Sequence, residues 1–178
     1  MPVNDIQAPS GSYKVGTQLF YWTDNDRDEW FSEIDGDKRE LIVQVWYPSN
    51  NTSDETDPWL DNISIREEAI MDNFKVPKFI AKSIDRVDTD TFVESSPITN
   101  INFPIIIFSH GFEGFRSQNT TQIQELVSNG YIVFALDHTY DATLTVMPDG
   151  RAIPRANYKI FDDNDKEIGF ITSGAMSP

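Results

Sequence analysis

The chain contains no cysteine, which excludes disulfides, thiolate metal centres and a cysteine nucleophile together. Positive charge is scarce: 14 Lys and Arg stand against 29 Asp and Glu, a formal net charge of −15. A surface with that balance cannot neutralise a run of phosphates, which argues against nucleic-acid binding. It argues equally against electrostatic docking on an anionic bilayer, leaving only apolar insertion open. No long apolar run is present, and the opening "MPVNDIQAPSGS" has neither the basic nor the apolar region of a secretion signal. A cytoplasmic location is therefore expected. Histidine is rare too, and neither His110 nor His138 stands in an HExxH or comparable zinc spacing.

What is present fits a folded domain. The 178 residues are 39% hydrophobic and 12% aromatic, enough for one substantial core. "TQLFYWT" (Thr17–Thr23) and "ELIVQVWYP" (Glu40–Pro48) are rich in β-branched and aromatic residues and predict two strands. Between them Asp24 to Arg39 reads as a long acidic hairpin loop. Asp24, Asp26 and Asp28 have the spacing of a calcium loop, but Glu29 occupies its glycine position and Asp35 its bidentate glutamate position. A solvated loop is the better reading. After a polar linker, Ile70, Phe74, Phe79, Ile80 and Ile84 follow helical spacing interrupted at Pro77.

"FPIIIF" (Phe103–Phe108) is continuously apolar, as a strand buried on both faces is. Thr121 and Gln124 have capping-box spacing, Ile123, Leu126 and Val127 make an apolar helix face, and Asn129-Gly130 supplies a stop. "YIVFALDH" (Tyr131–His138) predicts a second buried strand. Strand, helix and strand make a βαβ unit, hence a parallel pair. The expected fold class is α/β, with antiparallel opening strands over 13–48, a helical insertion over 60–100 and a βαβ core over 103–138. Residues 139–178 are less defined, with a Pro-Asp-Gly turn in "VMPDGRAI" and a second hairpin around Asp162–Asp165.

In open α/β sheets, sites form beyond the carboxyl ends of strands. Two such ends are visible, Ser109-His110-Gly111 and Asp137-His138. Gly111 and Gly114 let the backbone turn and expose its N–H groups, the donors that stabilise an oxyanion in acyl transfer. A nucleotide-binding reading is weak, because "SHGFEGF" is not G-x-G-x-x-G and no G-K-[ST] is present.

The stretch "FPIIIFSHGFEGFRSQNTTQIQELVSNGYIVFALDHTYDATLTVMPDG" resembles the platelet-activating-factor acetylhydrolase family of α/β-hydrolases, the plasma/type II lipases. The shared features are S-H-G-x-x-x-F-R-[ST], S-x-G-[YF]-[IV]-V and a His-containing turn before D-x-[ST]; "GSYKVGTQLFYWTDNDRDEWF" and "RELIVQVWYP" match the opening strands. The resemblance spans about Gly11 to Gly150 and implies an N-terminal part of an α/β-hydrolase sheet. It implies hydrolysis of short or oxidised sn-2 acyl groups from phospholipids by a Ser-Asp-His triad without metal or cofactor. By position, Phe112 would give a backbone N–H to the oxyanion hole, with Gly111 permitting close approach.

The departure from the family is as informative as the match. No serine is flanked by glycines at both −2 and +2, so the G-x-S-x-G elbow is absent: Ser109 has Ile107 before it, Ser128 has Leu126, and Ser173 has Ile171 and Ala175. Nucleophile, acid and catalytic His are then missing from these residues, and the expectation is an N-terminal fragment, inactive alone. A substitute triad of Ser109, His138 and Asp137 is disfavoured, because adjacent Asp137 and His138 point to opposite sides of a strand. Both histidines are expected to bond turn backbone, and Arg116 to orient its loop by pairing with Asp137 or Glu113. The Ile63–Val87 segment reads as helices packed on the sheet, with a lid or lipid-facing helix as the other reading. The alternative to a lipid esterase is a non-catalytic interaction module, or half of a split hydrolase whose complementary chain covers an open sheet edge.

Overall fold

The computed structural model describes residues 6–32, 34–84, 87–111, 114–155, 159–161 and 166–170. β1 (Lys14–Asp28) and β2 (Lys38–Ser49) pair antiparallel and extend beyond the apolar stretches that predict them. Their register runs on through Thr23↔Glu40 and Asp24↔Arg39 to Asp28↔Lys38. Ion pairs hold this polar end: Lys38 Nζ lies 2.6 Å from Asp28 and Arg39 Nη1 2.8 Å from Glu29. The connection expected from Asp24 to Arg39 is correspondingly shorter. β3 (Thr91–Val93), β4 (Ile105–Ser109) and β5 (Ile132–His138) complete a five-stranded sheet of order β3-β1-β2-β5-β4. β4 and β5 are parallel, with α3 (Thr120–Ser128) between them in the chain. The architecture is α/β, an antiparallel opening followed by a βαβ unit.

α3 covers one sheet face. Ile123 and Val127 pack with Val15, Trp46, Val133 and Ala135 into a buried cluster, against which Ile106, Phe108 and Leu126 lie. The expected capping box is not formed: Asn119 is the N-cap and makes no side-chain cap bond. Gln124 is instead fully buried, its Nε2 donating to Thr91 Oγ1 at 3.0 Å. A side chain that faces the core cannot reach back to the helix start. The stop at Asn129-Gly130 does form. Gly130 has φ 92, its N–H reaches Val127 O, and Tyr131 N–H reaches Leu126 O, the paired bonds of a Schellman ending.

β4 is not buried on both faces. Ile106 and Phe108 face the α3 cluster, whereas Ile105 is 61% and Ile107 75% exposed. The reason is position, since among the described residues β4 lies at the end of the sheet and pairs only with β5. The same face carries Val43, Val45 and Tyr47, with Leu41, Ile132, Phe134 and Leu136 packed against them.

α1 (Ile63–Phe74) and α2 (Lys78–Ser83) are separated at Pro77. They pack on each other rather than standing free: Ile70 and Ala81 join Leu60 and Phe115 in a second cluster, while Phe79 remains 73% exposed. β6 (Leu144–Val146) and β7 (Ala152–Pro154) pair antiparallel around the Pro-Asp-Gly turn, where Gly150 has φ 88. β8 (Lys159–Phe161) and β9 (Glu167–Phe170) form a further antiparallel pair; the turn expected at Asp162–Asp165 and the terminal "TSGAMSP" lie outside the described residues. No described helix is long and apolar enough to cross a membrane.

Two substitutions test this core by urea unfolding. Ile123→Ala should lower stability by about 2–5 kcal/mol through the cavity it leaves. Gly130→Ala should cost about 1 kcal/mol through strain at its positive φ, with no change in denaturant slope for either.

Candidate active site

β4 and β5 end side by side, Ser109 paired in register with Leu136. Their parallel alignment brings the Ser109-His110-Gly111 turn and the Asp137-His138 end to the same edge of the sheet. Gly111 carbonyl accepts the Gly114 N–H at 2.9 Å and stands 2.7 Å from His110 Nδ1. A Cβ at Gly111 would meet nothing within 4 Å, so the space over it is open. Gly114 is the tightly packed glycine: a Cβ there would approach Gly111 O to 2.9 Å and His110 Cβ to 3.0 Å. Phe112, the expected oxyanion donor, and Glu113 lie outside the described residues.

The two histidines occupy different places in one hydrogen-bonded chain. His110 is 7% exposed. A carbonyl oxygen only accepts, so its Nδ1 carries the proton given to Gly111, and its Nε2 accepts the His138 backbone N–H at 3.1 Å. Thus His110 binds turn backbone as expected. His138 does not: its Nε2 lies 2.7 Å from Ser109 Oγ, and the two imidazoles meet edge to face with centroids 5.1 Å apart. Burial holds the His138 pKa below its ordinary value, and His110 and Arg39 act in the same direction.

Asp137 takes no part in that chain. It is fully buried on the opposite side of β5, where its Oδ1 accepts the Arg116 backbone N–H at 2.6 Å and its Oδ2 pairs with Arg116 Nη1. The Ser109–His138–Asp137 triad is therefore not assembled; two of its members meet and the carboxylate is held elsewhere. Arg116 also donates from Nε to Gln44 Oε1 at 3.0 Å and from Nη2 to Asp61 Oδ2 at 2.7 Å. Burial opposes its charge, but Asp137 and Asp61 outweigh burial and raise its pKa. Of the two partners expected for Arg116, Asp137 is the one seen.

The network reaches further than the sequence suggests. Arg66 of α1 donates from Nε to Asp61 at 3.0 and 3.1 Å and from Nη1 to the Leu144 carbonyl. Gln44 Nε2 donates to Asp57 Oδ2 at 2.8 Å. Burial pushes the Asp57 carboxyl up to about 6 despite the Gln44 bond and the Arg116 charge. A signal was available for Arg66, since it shares a helix face with Ile70 four residues on. Nothing in the sequence pairs Asp57 or Gln44 with the turn. A cavity of about 180 Å³ opens beside Trp22, Leu41 and Met147 and includes none of the Ser109, His110 or His138 cluster. Among the described residues no group of three or more His, Asp or Glu is placed to hold a metal.

The chain's residues 2–160 match the family model of platelet-activating factor acetylhydrolase, isoform II. It belongs to that family. The dog platelet-activating factor acetylhydrolase is 26% identical over 168 residues, covering 92% of this chain and 32% of its own length. The bovine one is 25% identical, again over 92% of this chain and 32% of its own length. Among solved structures, the ferulic acid esterase from Streptomyces cinnamoneus is similar, with a TM-score of 0.68 and 29% identity over 85% of this chain and 41% of that one. The chain thus spans about a third of the acetylhydrolases it matches. The esterase neighbour shares the α/β architecture described above.

The network makes two predictions. Asp137→Asn should destabilise by about 3–5 kcal/mol, because it leaves Arg116 buried against a neutral partner; chemical denaturation reads this. Asp57 titrates higher when folded than unfolded, so the folded state holds the extra proton between roughly pH 4 and pH 6, and stability should fall as pH rises through that window. Melts of wild type and Asp57→Asn across pH 4–7 should show that fall in the wild type and its loss in the variant.

Proposed function

We propose that this chain builds the oxyanion-hole side of a phospholipid-ester hydrolase of the platelet-activating-factor acetylhydrolase type, which removes short sn-2 acyl groups. The observation that carries the reading is the Gly111 carbonyl, held by Gly114 N–H and His110 Nδ1 at the carboxyl end of β4. Fixing a carbonyl fixes the plane of its peptide, and preorganised peptide planes are what an oxyanion hole consists of. A segment outside these 178 residues would supply the serine nucleophile, its acid and its histidine, since no G-x-S-x-G lies within them. No cofactor is needed for this chemistry.

One observation favours a second reading, half of a split hydrolase or an interaction module. Ile105 and Ile107 are exposed on an end strand with parallel hydrogen-bonding groups, a template for another strand. A complementary chain that continues the sheet would cover both residues.

The reading of the nucleotide sequence past codon 178 is the primary test. An in-frame G-x-S-x-G, with hydrolysis of 1-alkyl-2-acetylglycerophosphocholine by the longer polypeptide, is expected; a longer polypeptide with neither refutes the hydrolase proposal. The 178-residue chain alone should show no sustained turnover of that substrate. For the split reading, sedimentation should find the chain self-associating, less so as Ile107→Lys. A stable, cooperatively folding monomer would count against it.

A further inference from the structure

We propose that Ser109 and His138 form a nucleophilic dyad in their own right, acylated once per chain by small activated carboxylic esters. This goes beyond the phospholipid-hydrolase reading and uses none of the groups missing from it.

Four observations converge on the dyad. Ser109 is exposed at the carboxyl end of the outermost strand, so a reagent can approach without displacing a packed element. Its Oγ lies 2.7 Å from His138 Nε2, hydrogen-bonding distance for a base and the proton it removes. His138 is held toward its neutral form by burial and by the nearby His110 and Arg39, with Asp141 and Asp137 acting in the opposite sense. A neutral imidazole is the state that accepts a proton. Finally, His110 does not compete as a base, because its Nε2 already accepts the His138 backbone N–H and its Nδ1 is committed to Gly111.

The step balances without a co-reactant. His138 Nε2 takes the Ser109 hydroxyl proton as Oγ bonds to the ester carbonyl carbon. The bond from that carbon to the leaving oxygen then breaks, and the proton passes from His138 to the departing alcohol or to water. The products are an O-acyl serine and the alcohol. Asp137 is clasped by Arg116 on the far side of β5, so that carboxylate does not steady the imidazolium. Loss of that support slows both half-reactions, but acylation is carried by the activated ester's good leaving group whereas deacylation must expel the poorer serine alkoxide, so the chain stops after one acylation instead of turning over.

The test treats the 178-residue chain with p-nitrophenyl acetate, following p-nitrophenolate release, intact mass and the modified peptide. A burst near one equivalent is expected, with one acetyl group on Ser109 and a rate that rises with pH as His138 deprotonates, below the ordinary histidine range. His138→Gln should slow acylation about 100-fold or more. Ser109→Ala should abolish the adduct, while Ser109→Cys keeps one at residue 109, with circular dichroism confirming that each variant is folded. Acetylation mapped elsewhere, a burst that survives Ser109→Ala, indifference to His138→Gln, or no adduct in the wild type each overturns the dyad. None of these outcomes bears on hydrolysis of a phospholipid by a longer polypeptide, so the two proposals fail separately.

Discussion

The buried clasp between Asp137 and Arg116 is the interaction on which the candidate site depends. Asp137 stands on β5, a central strand, and holds both the backbone N–H and the guanidinium of a residue from the glycine turn. One carboxylate thereby ties the turn that follows β4 to the neighbouring strand's end. The guanidinium's other nitrogens continue the connection to Gln44 on β2 and Asp61 before α1. Arg66 then ties α1 to Asp61 and to the β6 carbonyl of Leu144. Two arginines and two aspartates compensate one another, so the desolvation each would suffer alone is offset inside the cluster.

That clasp decides the chemistry by exclusion. Successive strand residues face opposite sides of a sheet, so Asp137 can serve the turn or sit behind an imidazole, but its neighbour His138 points the other way. With Asp137 committed to Arg116, the His138 imidazole meets Ser109 through Nε2 and lies edge to face with His110. His110 bridges the two sides through backbone: it accepts from the His138 N–H and donates to the Gly111 carbonyl. The turn is therefore secured twice, by charge beneath it through Arg116 and by imidazole beside it. The packing of Phe115 against Trp59, 5.6 Å between ring centroids, adds an apolar contact from the helical insertion.

Much of the fold was legible because local patterns carry it. The β-branched runs at Leu41–Val45 and Ile132–Val133, the apolar spacing Ile123–Val127 and the Asn129-Gly130 stop each act within a few residues, and each formed. Errors arose where a neighbour overrode the local pattern. "PIIIF" looks buried on both faces, yet a strand's burial depends on what lies beside it, and Ile105 and Ile107 face outward at the end of the sheet. Gln124 has capping-box spacing, but Thr91 on β3 draws its amide into the core.

The amino-acid sequence by itself determined the α/β class, the glycine turn after an apolar strand, the absence of cysteine chemistry and the absence of a G-x-S-x-G elbow. These follow from residue type and short spacing, which need no knowledge of distant neighbours. Only the tertiary structure decided which groups meet: Ser109 with His138, 29 residues apart, and Arg116 with Gln44, 72 apart. Strand order and register set those pairings, and both arise from burial summed over the whole sheet. A local pattern shows that a residue can donate, accept or ionise; the packed sheet selects its partner.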